Sequence, residues 1–201
     1  MHASDDKTLY LIDGHSLTFK AYYAVRGLTN ARGEPTGAVF GFLRMLLKLL
    51  DDSSPQYLAV VFDTGKPTFR NELYDAYKAN REAPPPDFGV QMGWVLQLLQ
   101  AMGIAVYSMD GFEADDLIGT MARTMAEQGR AVIVSADKDL LQLVTDRVHL
   151  LRPGLNETIL YDPTRVREQL GIRPDQMIDW LALVGDSSDN IPGVPGIGQK
   201  T

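Results

Sequence analysis

Three apolar runs in this chain end on an aspartate, and that repetition restricts the fold more than any other feature. Residues 8–12 hand over to Asp13-Gly14, residues 57–62 to Asp63, and residues 131–134 to Ser135-Ala136-Asp137-Lys138-Asp139. Each reads as a buried strand that delivers an acid at its carboxyl end. A further short strand, 104–107, leads into an acidic helix start. Between the strands lie helical patterns. Val39, Phe42, Leu43, Leu46, Leu47 and Leu50 share a face over residues 36–50, and Leu117, Ile118, Met121, Ala122 and Met125 do so before the stop at Gly129. Strands alternating with helices predict an α/β fold, a mostly parallel central sheet covered by helices. Ligands of such sheets bind beyond the carboxyl ends of the strands, where Asp13, Asp63, Asp137 and Asp139 fall.

The helix start itself, Asp110-Gly111-Phe112-Glu113-Ala114-Asp115-Asp116, packs four acids into seven residues. One or two would be ordinary capping, since free N–H groups and the positive end of the helix dipole favour carboxylates. Four exceed that need. Two carboxylates about 5 Å apart repel by roughly 3 kcal/mol at an effective dielectric of about 20, so several such pairs rival a domain's stability of about 5–15 kcal/mol. If buried, the cluster requires protons or a cation. A helical pattern over residues 175–184 then runs into Gly185-Asp186-Ser187-Ser188-Asp189-Asn190, where a helical turn would project Asp186 and Asp189 together. Singly, each acid has an ordinary explanation as a turn or cap. Together they form an oxygen-rich set, and with no cysteine and no clustered histidine that set selects Mg²⁺ or Mn²⁺ over zinc. The count suits two or more ions. Such sites activate a water and stabilise a leaving oxygen in phosphodiester hydrolysis.

The remaining composition narrows the class. A length of 201 residues allows one sizeable core and a small appended module. The absence of cysteine excludes a disulfide framework and a thiolate nucleophile. The polar, acidic start and the lack of a membrane-length apolar run predict a cytoplasmic protein with no membrane partner. A net charge of -7, from 19 Lys+Arg against 26 Asp+Glu, argues against a nucleic-acid partner if spread evenly. Concentrated in one site, the acid excess leaves basic patches elsewhere. One such patch lies between residues 68 and 88, where Arg70, Tyr74, Tyr77, Lys78 and Arg81 precede Ala83-Pro84-Pro85-Pro86. It reads either as a solvated amphipathic helix with a stiff linker or as cations that offset the acids' repulsion of phosphate, with an aromatic to stack on an unpaired base. The tail, 193–201, fails as a nucleotide phosphate loop because Gln199 separates Gly198 from Lys200. It fits a helix-hairpin-helix turn, whose glycines let backbone approach a duplex phosphate. His15 reads as a loop residue.

The stretches LYLIDGHS, AVVFDTGKPTFRNELYDAYKANR, GFEADDLIGT, SADKDLLQLV and LVGDSSDNIPGVPGIGQKT resemble the 5′-nuclease domain at the amino end of bacterial DNA polymerase I. The wider relatives are flap endonucleases and bacteriophage 5′-exonucleases. The likeness spans nearly the whole chain in order. It implies a PIN-like catalytic core over residues 1–184, with a helical arch at about 68–88, and the start of a helix-hairpin-helix element over 185–201. The family domain continues with further helices, so that element is expected to be truncated. The family's metal carboxylates fall on Asp13, Asp63, Glu113 and Asp115 for a first ion and on Asp137, Asp139, Asp186 and Asp189 for a second, with Asp116 between or behind them. Lys78 and Arg81 match its catalytic basic pair, Tyr77 its stacking residue and Arg70 a phosphate contact. Gly193, Gly196, Gly198 and Lys200 match the duplex grip, which often holds a K⁺ ion. The resemblance implies a monomeric, metal-dependent 5′-nuclease acting on DNA with a 5′ end or 5′ flap, RNA primers included, in replication and repair. It also implies a polymerase domain in the same natural chain. Two other readings share parts of this pattern: a junction-binding module that no longer cleaves, and a nuclease for structured RNA.

Overall fold

A computed structural model describes residues 7–154 and 158–198. In chain order it contains β1 (Thr8–Asp13), α1 (Gly14–Ala24), α2 (Gly37–Ser53), β2 (Tyr57–Val61), α3 (Phe69–Leu73), α4 (Pro86–Ala101), β3 (Ala105–Tyr107), α5 (Ala114–Ala126), β4 (Arg130–Val134), β5 (Val148–Arg152), β6 (Ile159–Tyr161), α6 (Pro163–Leu170), α7 (Met177–Val184), β7 (Gly185–Asp186) and β8 (Ile191–Pro192). The main sheet has the order β3-β2-β1-β4-β5-β6. All its pairings are parallel except β5 with β6. The expected α/β architecture is therefore present.

Neighbouring residues of each central strand go to opposite faces, as the pleat requires. Leu11, Val61 and Ile133 pack with Ile118 and Ala122 of α5. Ile12, Val60 and Val134 pack on the other side with Leu17 of α1, Phe42 of α2 and Val95 of α4. Strands buried on both faces read as continuous apolar runs, which is why β1, β2 and β4 were visible in the sequence. The chain builds outward from β1 through β2 to β3 and then returns to place β4 on the other side of β1. That reversal opens a crevice between the carboxyl ends of β1 and β4.

Several element boundaries differ from expectation. The helix expected over residues 36–50 runs on to Ser53, where Ser54 adopts a left-handed φ of 42° and its N–H closes on the Leu50 carbonyl. The pattern at 175–184 divides into a short 3₁₀ turn, Pro174–Gln176, and α7. The Asp13-Gly14 pair carries a turn signal although it opens α1 directly, so α1 was not expected, and β5, β6 and α6 were not expected either. The expected helical arch at 68–88 is helical only in α3 and in the first residues of α4, and α3 ends where Tyr74 turns extended at φ -149°. Residues 75–80 are successive turns, with Lys78 at a left-handed φ of 55°. Among the described residues no helix is long and apolar enough to cross a membrane.

Candidate active site

Asp13, the last residue of β1, is the floor of the crevice and only 4% exposed. One of its oxygens caps α1 by accepting the Ser16 N–H at 3.0 Å, and the other accepts the Ser135 hydroxyl at 2.7 Å. The same Ser135 oxygen accepts the Asp137 N–H at 3.0 Å. Ser135 thus ties the ends of β1 and β4 together. Burial raises Asp13 to about 6 against those stabilising hydrogen bonds, with the charges of Asp137 and Asp63 adding to the rise. Asp63, just beyond β2, accepts the Ala114 N–H at 2.7 Å, which joins it to the first turn of α5. Its own N–H donates to His15 Nδ1 at 3.3 Å. That leaves the imidazole proton on Nε2, and burial holds His15 below its usual value. His15 is a neutral support to the loop.

The acids of α5 separate by function of position. Glu113 caps the helix, and Asp116 completes the box by accepting the Glu113 N–H at 3.0 Å. Asp116 is also gripped by Arg70 through both terminal guanidinium nitrogens, at 2.7 and 2.8 Å. This pair takes Asp116 and Arg70 together, so neither is free for an ion or a phosphate as placed. Asp115 has no hydrogen bond or ion pair among the described residues. Burial first, then the charges of Asp13, Asp137 and Asp63, push it up to about 8.

Asp186 and Asp189 do not share a helical turn; Asp186 lies in β7, and the chain reverses through residues 187–190 into β8. Asp186 stands against Asp139, and burial together with the charges of Asp137 and Asp186 raises the Asp139 carboxyl. Burial works against Asp186 ionising too, but the Asp139 hydroxyl and the Ser188 N–H outweigh it. One Asp139 oxygen is buried with no partner. Asp189 faces the other way, toward the segment after α3, where Arg81 pairs with it.

That segment is docked by its own polar groups. Lys78 Nζ contacts Glu113 at 2.9 Å, and the Lys78 N–H donates to the Asp189 carbonyl at 3.0 Å. Tyr77 was expected to present its ring to a base. Instead it is 7% exposed, and its hydroxyl lies 3.0 Å from both Glu113 and Asp189. Tyr74, 40% exposed, is the open ring of the segment.

At the tail, a Cβ on Gly193 would collide with the Val184 carbonyl, so this glycine allows the β7–β8 hairpin to close on α7. Val194 to Ile197 form a turn closed by a 3.0 Å hydrogen bond, with Pro195 second and Gly196 third at φ 85°, the requirements of a type II turn. Gly198 follows at the end of the described residues, and Lys200 lies outside them.

Asp13, Asp63, Glu113, Asp115 and Asp137 line one cleft of about 700 Å³, together with Lys78 and Arg81. Sequence reasoning missed Ser135, Lys138, Lys20, Tyr23 and Arg152, which belong to the same surroundings. Ser135 and Lys138 could have been found by their place among the acids; the others carried no local signal. The donor chemistry fits hard divalent cations: oxygen ligands only, two carboxylates raised by burial and then by neighbouring acids, and an unpartnered buried oxygen on Asp139. As the side chains stand, no three His, Asp or Glu among the described residues converge on a common point. Arg70, Lys78 and Arg81 pair with Asp116, Glu113 and Asp189 instead.

A parallel sheet with carboxylates at its switch point and a basic segment laid against them is the build of a phosphodiester hydrolase domain. A family model described as "5'-3' exonuclease, N-terminal resolvase-like domain" matches residues 8–171, and "5'-3' exonuclease, C-terminal SAM fold" matches residues 172–201. The chain belongs to the 5′-3′ exonuclease family and is a nuclease domain. DNA polymerase I of Bacillus subtilis is 44% identical over 201 residues, covering 98% of this chain and 23% of that protein. Thermostable DNA polymerase I of Thermus thermophilus is 46% identical over 192 residues, covering 95% of this chain and 23% of that protein. The chain thus spans about a quarter of the relatives it matches. The T5 D15 protein co-crystallised with metal ions superposes with a TM-score of 0.79 at 23% identity, over 96% of this chain and 72% of that one. The bacteriophage T5 D15 flap endonuclease in a pseudo-enzyme-product complex with DNA and metal ions superposes with a TM-score of 0.75 at 24% identity, over 96% and 72%. These likenesses show the shared fold.

Proposed function

We propose that this domain is a divalent-cation-dependent 5′-nuclease that cleaves DNA at 5′ ends and 5′-flap junctions, RNA primers included, in replication and repair. The observation that carries this reading is the meeting, in one cleft, of the crowded carboxylates Asp13 and Asp115 with cations Lys78 and Arg81 from a separate segment. Bound Mg²⁺ or Mn²⁺, two or more ions, would supply Lewis-acid activation of water and of the leaving oxygen. Asp13, Asp63, Glu113 and Asp115 would hold one ion, and Asp137, Asp139, Asp186 and Asp189 the other. The chain's own groups do the positioning. Ser16 and Ser135 aim the two oxygens of Asp13, and the Ala114 N–H aims Asp63. Arg70 and Asp116 brace the start of α5, leaving Glu113 and Asp115 turned to the cleft. Lys78 and Arg81 offset the repulsion between phosphate and the acids and stabilise charge that develops at the scissile group. Hydrolysis leaves a 5′-phosphate and a 3′-hydroxyl.

Residues 1–184 form the catalytic part in this reading, and residues 185–201 begin the duplex grip. There the backbone at Gly193, Gly196 and Gly198, with Lys200, would meet duplex phosphates around a K⁺ ion. The DNA complex of the T5 flap endonuclease supports the choice of substrate. The DNA polymerase I relatives, of which this chain spans about a quarter, support a polymerase domain in the same natural chain; a monomer working in the cytoplasm completes the proposal.

The test is a single-turnover assay on an end-labelled duplex with a 5′ flap, in Mg²⁺ and in EDTA. Release of the flap within a nucleotide of the junction, in Mg²⁺ alone, is expected. Equal cleavage in EDTA would overturn the metal reading, and no cleavage in Mg²⁺ the nuclease reading.

A further inference from the structure

The wall of the cleft formed by α1 and the end of β5 is cationic without a local cause. Arg152, the last residue of β5, lies with its guanidinium 5.3 Å over the Tyr161 ring and donates from Nη1 to the Tyr161 hydroxyl at 3.4 Å. Its Nε is buried and has no hydrogen-bond partner. No carboxylate pairs with Arg152 or with its neighbour Lys20 among the described residues. Both line the cleft, and Lys20 is held below its usual value by burial and then by the charge of Arg152. Two like charges with no carboxylate partner in one cleft wall favour the arrival of an anion at the accessible part of the guanidinium. Both residues line the same cleft as Asp13 and Asp137. Next to them, on α1, Tyr23 leaves half of its surface open and stacks on Phe19 at 6.4 Å between ring centres. An oriented guanidinium with a second cation and an open ring in the same cleft wall suits a nucleotide phosphate more than a free anion.

We infer that Arg152, oriented by Tyr161 and assisted by Lys20, is a preformed ligand for a phosphodiester of the bound DNA strand, separate from the contacts made by Lys78 and Arg81. The subsite rests on the 5′-nuclease reading above. It holds one phosphate at a set distance from the carboxylates, and so fixes which bond of the strand lies over them. Tyr161 contributes as a positioning residue, since its ring and hydroxyl set the plane of the guanidinium.

The test combines Arg152→Ala, Arg152→Lys and Tyr161→Phe with flap duplexes that carry a neutral methylphosphonate at one position at a time. Unfolding curves establish that each variant is folded. In the wild-type chain, one methylphosphonate position near the junction is expected to weaken binding and slow single-turnover cleavage about tenfold or more. That same position should cost Arg152→Ala nothing further, and the salt dependence of binding by Arg152→Ala should fall by about one phosphate contact. Arg152→Lys is expected to restore the salt slope but not the cleavage register, since an ammonium keeps the charge and loses the fork. Tyr161→Phe is expected to blur the register with binding intact. A folded Arg152→Ala that binds and cleaves as wild type, or that responds to every methylphosphonate as wild type does, overturns the proposal. If the wild-type chain does not cleave in Mg²⁺, the nuclease reading fails, and the binding arm alone still decides the subsite.

Discussion

The Ser135 hydroxyl donates to Asp13 at 2.7 Å while its oxygen accepts the Asp137 N–H at 3.0 Å, so one buried side chain ties the Asp13 carboxylate to the backbone of Asp137 just beyond the adjacent strand. Removing it leaves the Asp13 oxygen and the Asp137 N–H without that partner. Ser135→Ala is therefore expected to lose about 1–3 kcal/mol of stability and to lower the cleavage rate through both acids. Urea unfolding beside single-turnover kinetics checks it; a variant as stable and as fast as wild type would show that the bridge is incidental.

Asp13 at about 6 and Asp115 at about 8 carry protons in the folded chain that a solvated carboxylate of 3.8 has already lost. Between about pH 4 and 8 the folded state thus binds more protons than the unfolded one. Its stability must fall as pH rises through that window. In EDTA, unfolding free energy is expected to decline from pH 5 to pH 8, with a flatter slope for Asp115→Asn, which removes the titration while keeping the shape. Adding Mg²⁺ should stabilise the chain most at the alkaline end. A pH-independent unfolding curve in EDTA would contradict the crowding described.

Arg70 and Asp116 exchange two hydrogen bonds at a partly exposed position. Their coupling is expected to be about 1 kcal/mol, measured by a double-mutant cycle of Arg70→Ala and Asp116→Ala. Additive losses would mean that each residue acts alone.

Tyr77 offers a clean choice between hydroxyl and ring. Tyr77→Phe keeps the ring but removes the hydroxyl shared by Glu113 and Asp189. Cleavage is expected to slow about tenfold, as loss of a hydrogen bond to charged groups would cause. An unchanged rate, with Tyr77→Ala impaired, would favour stacking of the ring on a base.

Much of this arrangement is written locally in the chain. Asp13, Asp63 and Asp137 follow apolar runs that can only be strands, and a parallel sheet brings its carboxyl ends to one edge whatever the loops do. Glu113, Asp115 and Asp116 likewise announce a helix start. The sequence by itself determined the four parallel strands β1 to β4, the edge on which the acids gather and the family of the chain. It did not determine which acids face the cleft. Asp116 turns to Arg70, 46 residues away, Asp189 to Arg81, 108 residues away, and Asp186 to Asp139. Tyr77 was buried by the same long-range docking of residues 74–81 on the 187–190 turn. Only the tertiary structure decided these, because a carboxylate's direction depends on which cation or N–H reaches it. Residues distant in the chain supply those partners only once the sheet and its helices have packed.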